Sequence, residues 1–176
     1  MDYCNSLLCS LPDTLLHKLQ SVQNATARLI TGTWRHDHIT PVLCELHWLP
    51  IQECVKFKVA CLVRHSLFGQ APLYLSEDCF LVSDSTRRPL QSANVLNCVV
   101  PRTLSSYVDR SFAASGPRLW NSVPVQLRNL DITCGLFRLQ LKGHFFWEAW
   151  TRRSVTYDIR HLRKTITYLL TELDVM

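Results

Sequence analysis

Glycine is scarce in this chain, with five residues in 176. None of the five are grouped, which excludes a glycine-rich phosphate-binding loop. No Gly-x-Ser-x-Gly elbow occurs, so the nucleophile signature of the α/β-hydrolases is missing. No two cysteines stand in Cys-x-x-Cys spacing, and the commonest zinc-site signature is therefore absent. Long apolar runs are lacking too. Val59-Ala60-Cys61-Leu62-Val63 falls far short of the roughly 20 consecutive apolar residues that a membrane helix needs. The N-terminus, Met1-Asp2-Tyr3-Cys4-Asn5, has no basic stretch leading into an apolar one, so no secretory signal is expected.

What is present suits a folded protein. Hydrophobic residues make up 47% of the chain, enough for a core and too many for a disordered tail. The length fits one ordinary domain, or a small domain with appendages. Eight cysteines stand at 4, 9, 44, 54, 61, 79, 98 and 134. They read as reduced thiols of an intracellular protein, nuclear or cytoplasmic. Cys54 and Cys61 fall in a helical pattern, where a thiol acts as a small hydrophobe.

The net charge of +5 is unevenly spread. Residues 1–86 carry −2 and the last twelve residues another −2. Residues 87–164 carry thirteen Lys/Arg against four Asp/Glu. Those cations are Arg87, Arg88, Arg102, Arg110, Arg118, Arg128, Arg138, Lys142, Arg152, Arg153, Arg160, Arg163 and Lys164. A basic second half is what a polyanion-binding surface requires, though a solvated surface with surplus arginine would look the same.

Periodicity and punctuation predict helices along most of the chain. Residues 2–10 look like the tail of a helix, and Leu7 and Leu8 have little to bury them. That reads as truncation. Pro12 and Asp13 open a helix in which Leu15, Leu19, Val22, Thr26 and Leu29 form one apolar stripe, with Gly32 as its C′ residue. Thr40 and Pro41 start a shorter helix as N-cap and first helical residue. A third runs from Ile51 to about Phe68, closed by Gly69, and residues 71–75 add a short turn. Residues 83–93 read as an exposed linker. Residues 95–100 are the best strand candidate, pairing with residues 104–108 as a hairpin or packing as a lone extended segment. Residues 111–124 read as irregular chain anchored by Phe112, Leu119, Trp120 and Val123. A helix from Thr133 to about Trp150 places Phe137, Leu141 and Phe145 on one side, and a last helix covers residues 157–173.

No catalytic arrangement stands out. Glu77 and Asp78 are the only adjacent acidic pair and read as solvated surface, since a two-metal site needs carboxylates converging in a sheltered cleft. His36, Asp37 and His38, with Cys44 and His47 nearby, form the most metal-like cluster. Turn-forming polar residues are the plainer account. Trp147 and Trp150 beside Arg152 and Arg153 have the elements of a base-stacking, phosphate-binding surface. Two tryptophans buried at a helix end are the ordinary alternative. Trp34 and Arg35 beside His36 present a weaker version of the same pattern.

Taken together, the segments resemble the region just past the polymerase core of LINE-type (non-LTR) retrotransposon reverse transcriptases. The resemblance begins with Asp2-Tyr3-Cys4-Asn5-Ser6-Leu7-Leu8, Leu11-Pro12 and Lys18-Leu19-Gln20-Ser21-Val22-Gln23-Asn24-Ala25-Thr26-Ala27-Arg28-Leu29. It continues through His38-Ile39-Thr40-Pro41-Val42-Leu43, Leu46-His47-Trp48-Leu49-Pro50-Ile51 and Ala71-Pro72-Leu73-Tyr74-Leu75. Val100-Pro101-Arg102-Thr103, Asp109-Arg110-Ser111-Phe112 and Pro117-Arg118-Leu119-Trp120-Asn121-Ser122-Val123-Pro124 follow in the family's order. The similarity reaches about Phe146, and the chain departs from the pattern after Trp147. It implies a parent that copies RNA into DNA at a nicked target. The metal-binding aspartates of that polymerase would lie before Met1, so this chain inherits no catalytic residue, cofactor or metal.

The expected architecture is mainly α, with about five to six helices and a short extended or β-hairpin segment near residues 95–108. The expected divisions are 1–82 (helical, thumb-like), 83–93 (linker), 94–150 (basic, mixed, ending in a helix) and 151–176 (a diverged C-terminal helix). The expected function is non-catalytic binding of RNA/DNA template–primer beside the missing palm and fingers. Arg102, Arg110, Arg118, Arg128, Arg138, Lys142, Arg152, Arg153, Arg160, Arg163 and Lys164 are the candidate contacts. The alternative is an inert or repurposed protein-interaction module that self-associates through exposed apolar helix faces. Neither reading involves a membrane.

Overall fold

The computed structural model describes residues 8–9, 11–84, 96–105, 108–129 and 131–151. They form six α-helices: α1 (Asp13–Thr31), α2 (Ile39–Glu45), α3 (Ile51–Leu67), α4 (Leu73–Ser76), α5 (Phe112–Ser122) and α6 (Cys134–Thr151). Short 3-10 turns occupy Val82–Asp84, Val108–Arg110 and Val125–Arg128. The mainly α architecture is as the sequence predicts. The packing divides into two units that interleave along the chain. One is drawn from residues 12–54 and 134–151, the other from residues 8–11 and 55–133. No helix among the described residues is long and apolar enough to cross a membrane.

In the first unit, α1 begins where Pro12 holds an extended conformation and Asp13 takes the first turn, favoured by the helix dipole. It ends at Gly32, whose φ of 67° is the left-handed conformation that a side chain resists. The apolar stripe predicted for its buried face is turned the other way. Leu15, Val22 and Leu29 are exposed, Leu29 at 85%, while Gln23 and Ala27 are buried. The reason lies in what the opposite face holds. Ala27 is small enough for close approach and packs with Val42 and Leu43 of α2, flanked by Ile39, Leu46 and Trp48. Gln23 donates from Nε2 to the Leu49 carbonyl at 2.9 Å. Gln20 Oε1 accepts the Ile51 N–H at 2.8 Å, which satisfies an otherwise open donor at the start of α3.

The start of α2 also differs from expectation. His38, not Thr40, precedes the first helical residue, so Pro41 sits third in the helix. Proline is tolerated there because N–H groups of the first turn have no intrahelical acceptor. Chain reversal after α2 uses His47 at φ 53°, with the Trp48 N–H bonded to the Leu43 carbonyl at 2.8 Å. In α6, Phe137, Leu141 and Phe145 are buried as their spacing predicts.

The second unit contains the largest departure. Residues 111–124, read as irregular, hold the eleven-residue helix α5 with Pro117 inside it. Proline at that position forfeits one main-chain hydrogen bond. Burial of Pro117 and of Trp120, which is 0% exposed, offsets the loss. Gly116 permits the approach of α5 to α3: a Cβ there would stand 3.0 Å from Val63 Cγ2 and 3.3 Å from the Phe112 ring.

No strand pairs into a sheet among the described residues. Among the described residues, the extended segment near Cys98 makes one isolated antiparallel bridge, to Leu81; residues 106 and 107 of the expected hairpin partner lie outside them. Val82 donates to the Asn97 carbonyl and Val99 to the Phe80 carbonyl, both at 2.8 Å. Three further main-chain groups of the segment are satisfied by side chains of α5. Asn121 accepts the Cys98 N–H at 2.8 Å and donates to the Cys98 carbonyl at 2.9 Å, substituting for a second strand. Trp120 Nε1 donates to the Leu96 carbonyl at 2.8 Å. Residue 95 and the helix expected at 157–173 lie outside the described residues, as do residues 85–93 of the 83–93 linker and most of residues 2–10.

Asn121→Leu should therefore unfold the second unit more easily than its surface location implies. It strands a donor and an acceptor of Cys98 at a cost of about 2–3 kcal/mol. A urea midpoint equal to that of the unsubstituted protein would refute this bidentate role.

Candidate nucleic-acid interface

The candidate cations fall into four environments. Arg102 and Arg110 are exposed, and no ion pair holds either among the described residues. Arg102 follows the extended segment and Arg110 ends the 3-10 turn Val108–Arg110, and their exposure leaves both guanidinium groups accessible to an anion.

Arg118 is exposed but engaged. Its Nη1 lies 2.7 Å from Asp109 Oδ1, and its Nη2 donates to Thr103 Oγ1 at 3.2 Å. The Thr103 hydroxyl in turn donates to Asp109. These two hydroxyl and guanidinium donors, the Thr103 bond first, hold the Asp109 carboxyl below the usual carboxylate range. The cluster joins residues from three of the sequence blocks quoted above: Thr103, Asp109 and Arg118. Its geometry is that of a surface clamp, and its net charge is near zero.

Arg128 is buried, 7% exposed, and is not a surface contact. Its Nε donates to the Val123 carbonyl at 2.8 Å and its Nη1 to Asn97 Oδ1. Burial lowers its affinity for the proton, with partial compensation from neighbouring Cys98. A cation in this position ties the turn after α5 to the extended segment. Arg64, 2% exposed, does comparable work: it donates to the Asn129 carbonyl at 3.2 Å and to that of Ile132, and lies 4.7 Å above the Phe68 ring.

The fourth group is on α6, in the other unit. Arg138 is exposed, and Lys142 is half-buried with its ammonium 6.0 Å from the Phe146 ring. Trp147 is exposed rather than buried. Arg152, Arg153, Arg160, Arg163 and Lys164 lie outside the described residues, as does the side chain of Trp150.

The metal-like cluster resolves into separate roles. Among the described residues, no three His, Cys, Asp or Glu side chains are grouped to hold a metal ion. His36 stacks on Trp34, with ring centroids 6.4 Å apart at 24°, and lies 3.5 Å from Asp37. His47 occupies the left-handed turn, and Cys44 is packed. Glu77 is exposed and follows α4 directly.

One feature was not in the basic second half where the expectation rested. Arg28 and Arg35, from the half with net charge −2, line an open groove of about 700 Å³ together with Asn24, Leu29 and Thr33. No carboxylate lines it. Charge summed over a half of the chain conceals such a local excess; Trp34 next to Arg35 was its only sequence signal.

Comparison with known proteins adds no assignment: no family model, curated protein or solved structure matches the chain.

Of the seven described cysteines, Cys61, Cys79 and Cys98 are buried. Burial pushes Cys44 and Cys98 up to about 12 and Cys79 to about 11, from an ordinary value of 9.0. The folded protein therefore keeps protons that the unfolded chain releases above pH 9.0. Stability from these thiols is complete below that pH and declines as pH rises toward the folded values. Urea midpoints measured from about pH 8 to about pH 11 should fall, and Cys98→Ala should lose part of the slope. An identical slope in that variant would show that Cys98 is not shielded as described.

Proposed function

We propose that this chain is a non-catalytic, helical segment of the post-polymerase region of a LINE-type reverse transcriptase. In the parent protein it would help hold the RNA/DNA template–primer. The observation that carries this reading is the run of sequence blocks, in order, from Asp2 to about Phe146. The exposed guanidinium groups of Arg102 and Arg110 support it, as does the basic balance of residues 87–164. On this reading the protein contributes phosphate contacts and no reacting group, metal or cofactor.

A second reading is a protein-interaction module, and α1 favours it. Leu15, Val22, Leu29 and Ile30 are exposed on one helix, more apolar surface than solvation of a helix requires. That reading predicts concentration-dependent self-association in size-exclusion chromatography, with Leu29→Ser abolishing it. The missing palm and fingers are the other partner such a face would suit.

Binding of single-stranded RNA, followed by fluorescence anisotropy between about 50 and about 200 mM salt, distinguishes the two. Affinity should fall steeply with salt through counterion release. Arg102→Ser and Arg110→Ser should each weaken binding and reduce the logarithmic salt slope by about 0.7 per lost phosphate contact. Arg128→Gln should instead lower thermal stability. Absence of salt-sensitive binding by the folded protein would sink the nucleic-acid reading.

A further inference from the structure

We propose that the C-terminal end of α1 and the turn after it form a site for unpaired nucleotides, with Trp34 as the stacking platform and Arg28 and Arg35 as the phosphate contacts. This rests on the nucleic-acid reading above, and adds to it a place and a substrate form outside the basic second half.

The first observation is the indole. Trp34 is 73% exposed, although a tryptophan this accessible forfeits a large burial gain. It is not loose. One side of the ring is stacked by His36, itself held beside Asp37, and the turn is tied to α1 by Arg28, whose Nη2 donates to the Asp37 carbonyl at 3.0 Å. An aromatic face supported from behind and open in front is what a base needs, and every base offers a π-face to it.

The second observation is the charge beside it. The groove that Thr33 and Arg35 border is lined by two arginines and no carboxylate. The end of α1 would ordinarily repel an anion through its open carbonyls. Here the guanidinium groups of Arg28 and Arg35, both bordering the groove, offset that repulsion. Asn24 and Thr33 add uncharged polar groups, and Leu29, 85% exposed, gives a second flat apolar contact.

Charge decides between occupants. A partner helix would cover Leu29 and Trp34 equally well. It would also leave Arg28 and Arg35 facing one another's field across the groove unless it brought its own carboxylates. A single-stranded polyanion supplies the countercharge and the flat rings together. A duplex supplies only the first, because its bases are already stacked.

The test compares the full chain with Trp34→Ala, Trp34→Phe and Arg35→Ser. The probes are a labelled oligouridylate of about twelve nucleotides, an abasic strand of equal charge and an RNA duplex. All three side-chain changes lie at exposed positions, and unchanged melting curves would establish that each variant folds. Trp34→Ala should weaken oligouridylate binding about fivefold or more with an unaltered salt slope, and leave the abasic strand unaffected. Trp34→Phe should recover most of the loss. Arg35→Ser should weaken both single strands and reduce the slope. The site is refuted if the unsubstituted protein binds oligouridylate and Trp34→Ala binds it equally well, or if that variant weakens the abasic strand to the same extent. It is also refuted if Trp34→Ala alters self-association alone, which would make the face a protein contact. Should the unsubstituted protein bind none of the probes, the reading under the previous heading fails, and this one with it.

Discussion

An extended segment without a sheet must find partners for its main-chain groups elsewhere, because a buried unpaired N–H or carbonyl costs as much as a lost hydrogen bond. Much of the second unit is organised by that requirement. The chain around Cys98, itself 2% exposed, receives one bridge from Leu81 and three side-chain bonds from α5. Asn121 supplies a donor and an acceptor to one residue, Trp120 caps a carbonyl, and Arg128 reaches Asn97. These groups are spaced at positions 120, 121 and 128, so the helix must stop after 122 and turn back within a few residues. Pro124 and the 3-10 turn Val125–Arg128 accomplish that. The position of α5 meets main-chain groups of the extended segment, while Arg128 ties the turn to the Asn97 side chain and the Val123 carbonyl.

This dependence separates the arginines by purpose. Arg64 and Arg128 act on carbonyls in the interior, where a guanidinium can satisfy several acceptors from one planar group. Arg118 is balanced by Asp109 at the surface. Arg102 and Arg110 are left to solvent. Net charge in the sequence counts all of them alike, so the basic second half overstates the positive surface that a polyanion would meet. In the other unit the opposite error occurs: a half with net charge −2 contains a groove bordered by two arginines and no carboxylate. Function through charge depends on the local arrangement, and that arrangement is set by which cations the fold consumes.

The same logic accounts for what could be read from the sequence. The limits of α1 and α3 are legible because Pro12, Pro50, Gly32 and Gly69 act on the residues beside them, and in α6 the four-residue steps of Phe137, Leu141 and Phe145 mark the buried face. The helix α5 is not legible. Gly116 and Pro117 both argue locally against a helix, and burial of Trp120 and the close approach to Val63 override them only once α3 is in place. The pairing of Cys98 with Leu81 crosses a polar stretch that carries no pattern. Arg128 looks like any cation in a surface turn until its acceptors are placed. For the candidate site, Arg102 and Arg110 were visible as sequence positions, while the grouping of Arg28, Arg35 and Trp34 required the turn after Gly32.

The orientation of α1 bears most directly on function. Its apolar residues follow the alternating four- and three-residue steps that ordinarily mark a core face, yet Gln20 and Gln23 occupy the inward side. Glutamine serves there because the chain between α2 and α3 presents main-chain groups, and an apolar residue would have left the Leu49 carbonyl and the Ile51 N–H without partners. The helix is thus held by the glutamine contacts and by Ala27 on one side, while Leu15, Val22 and Leu29 face outward. An apolar face that the unit's own core does not need, ending at an arginine-lined turn with an open indole, is costly to maintain in water unless something covers it. Both proposed readings start from that cost. They differ in whether the cover is another protein surface along Leu15, Val22 and Leu29, or a strand of bases at Trp34. The two would compete where they overlap, because Leu29 belongs to the apolar face of α1 and also borders the arginine-lined groove.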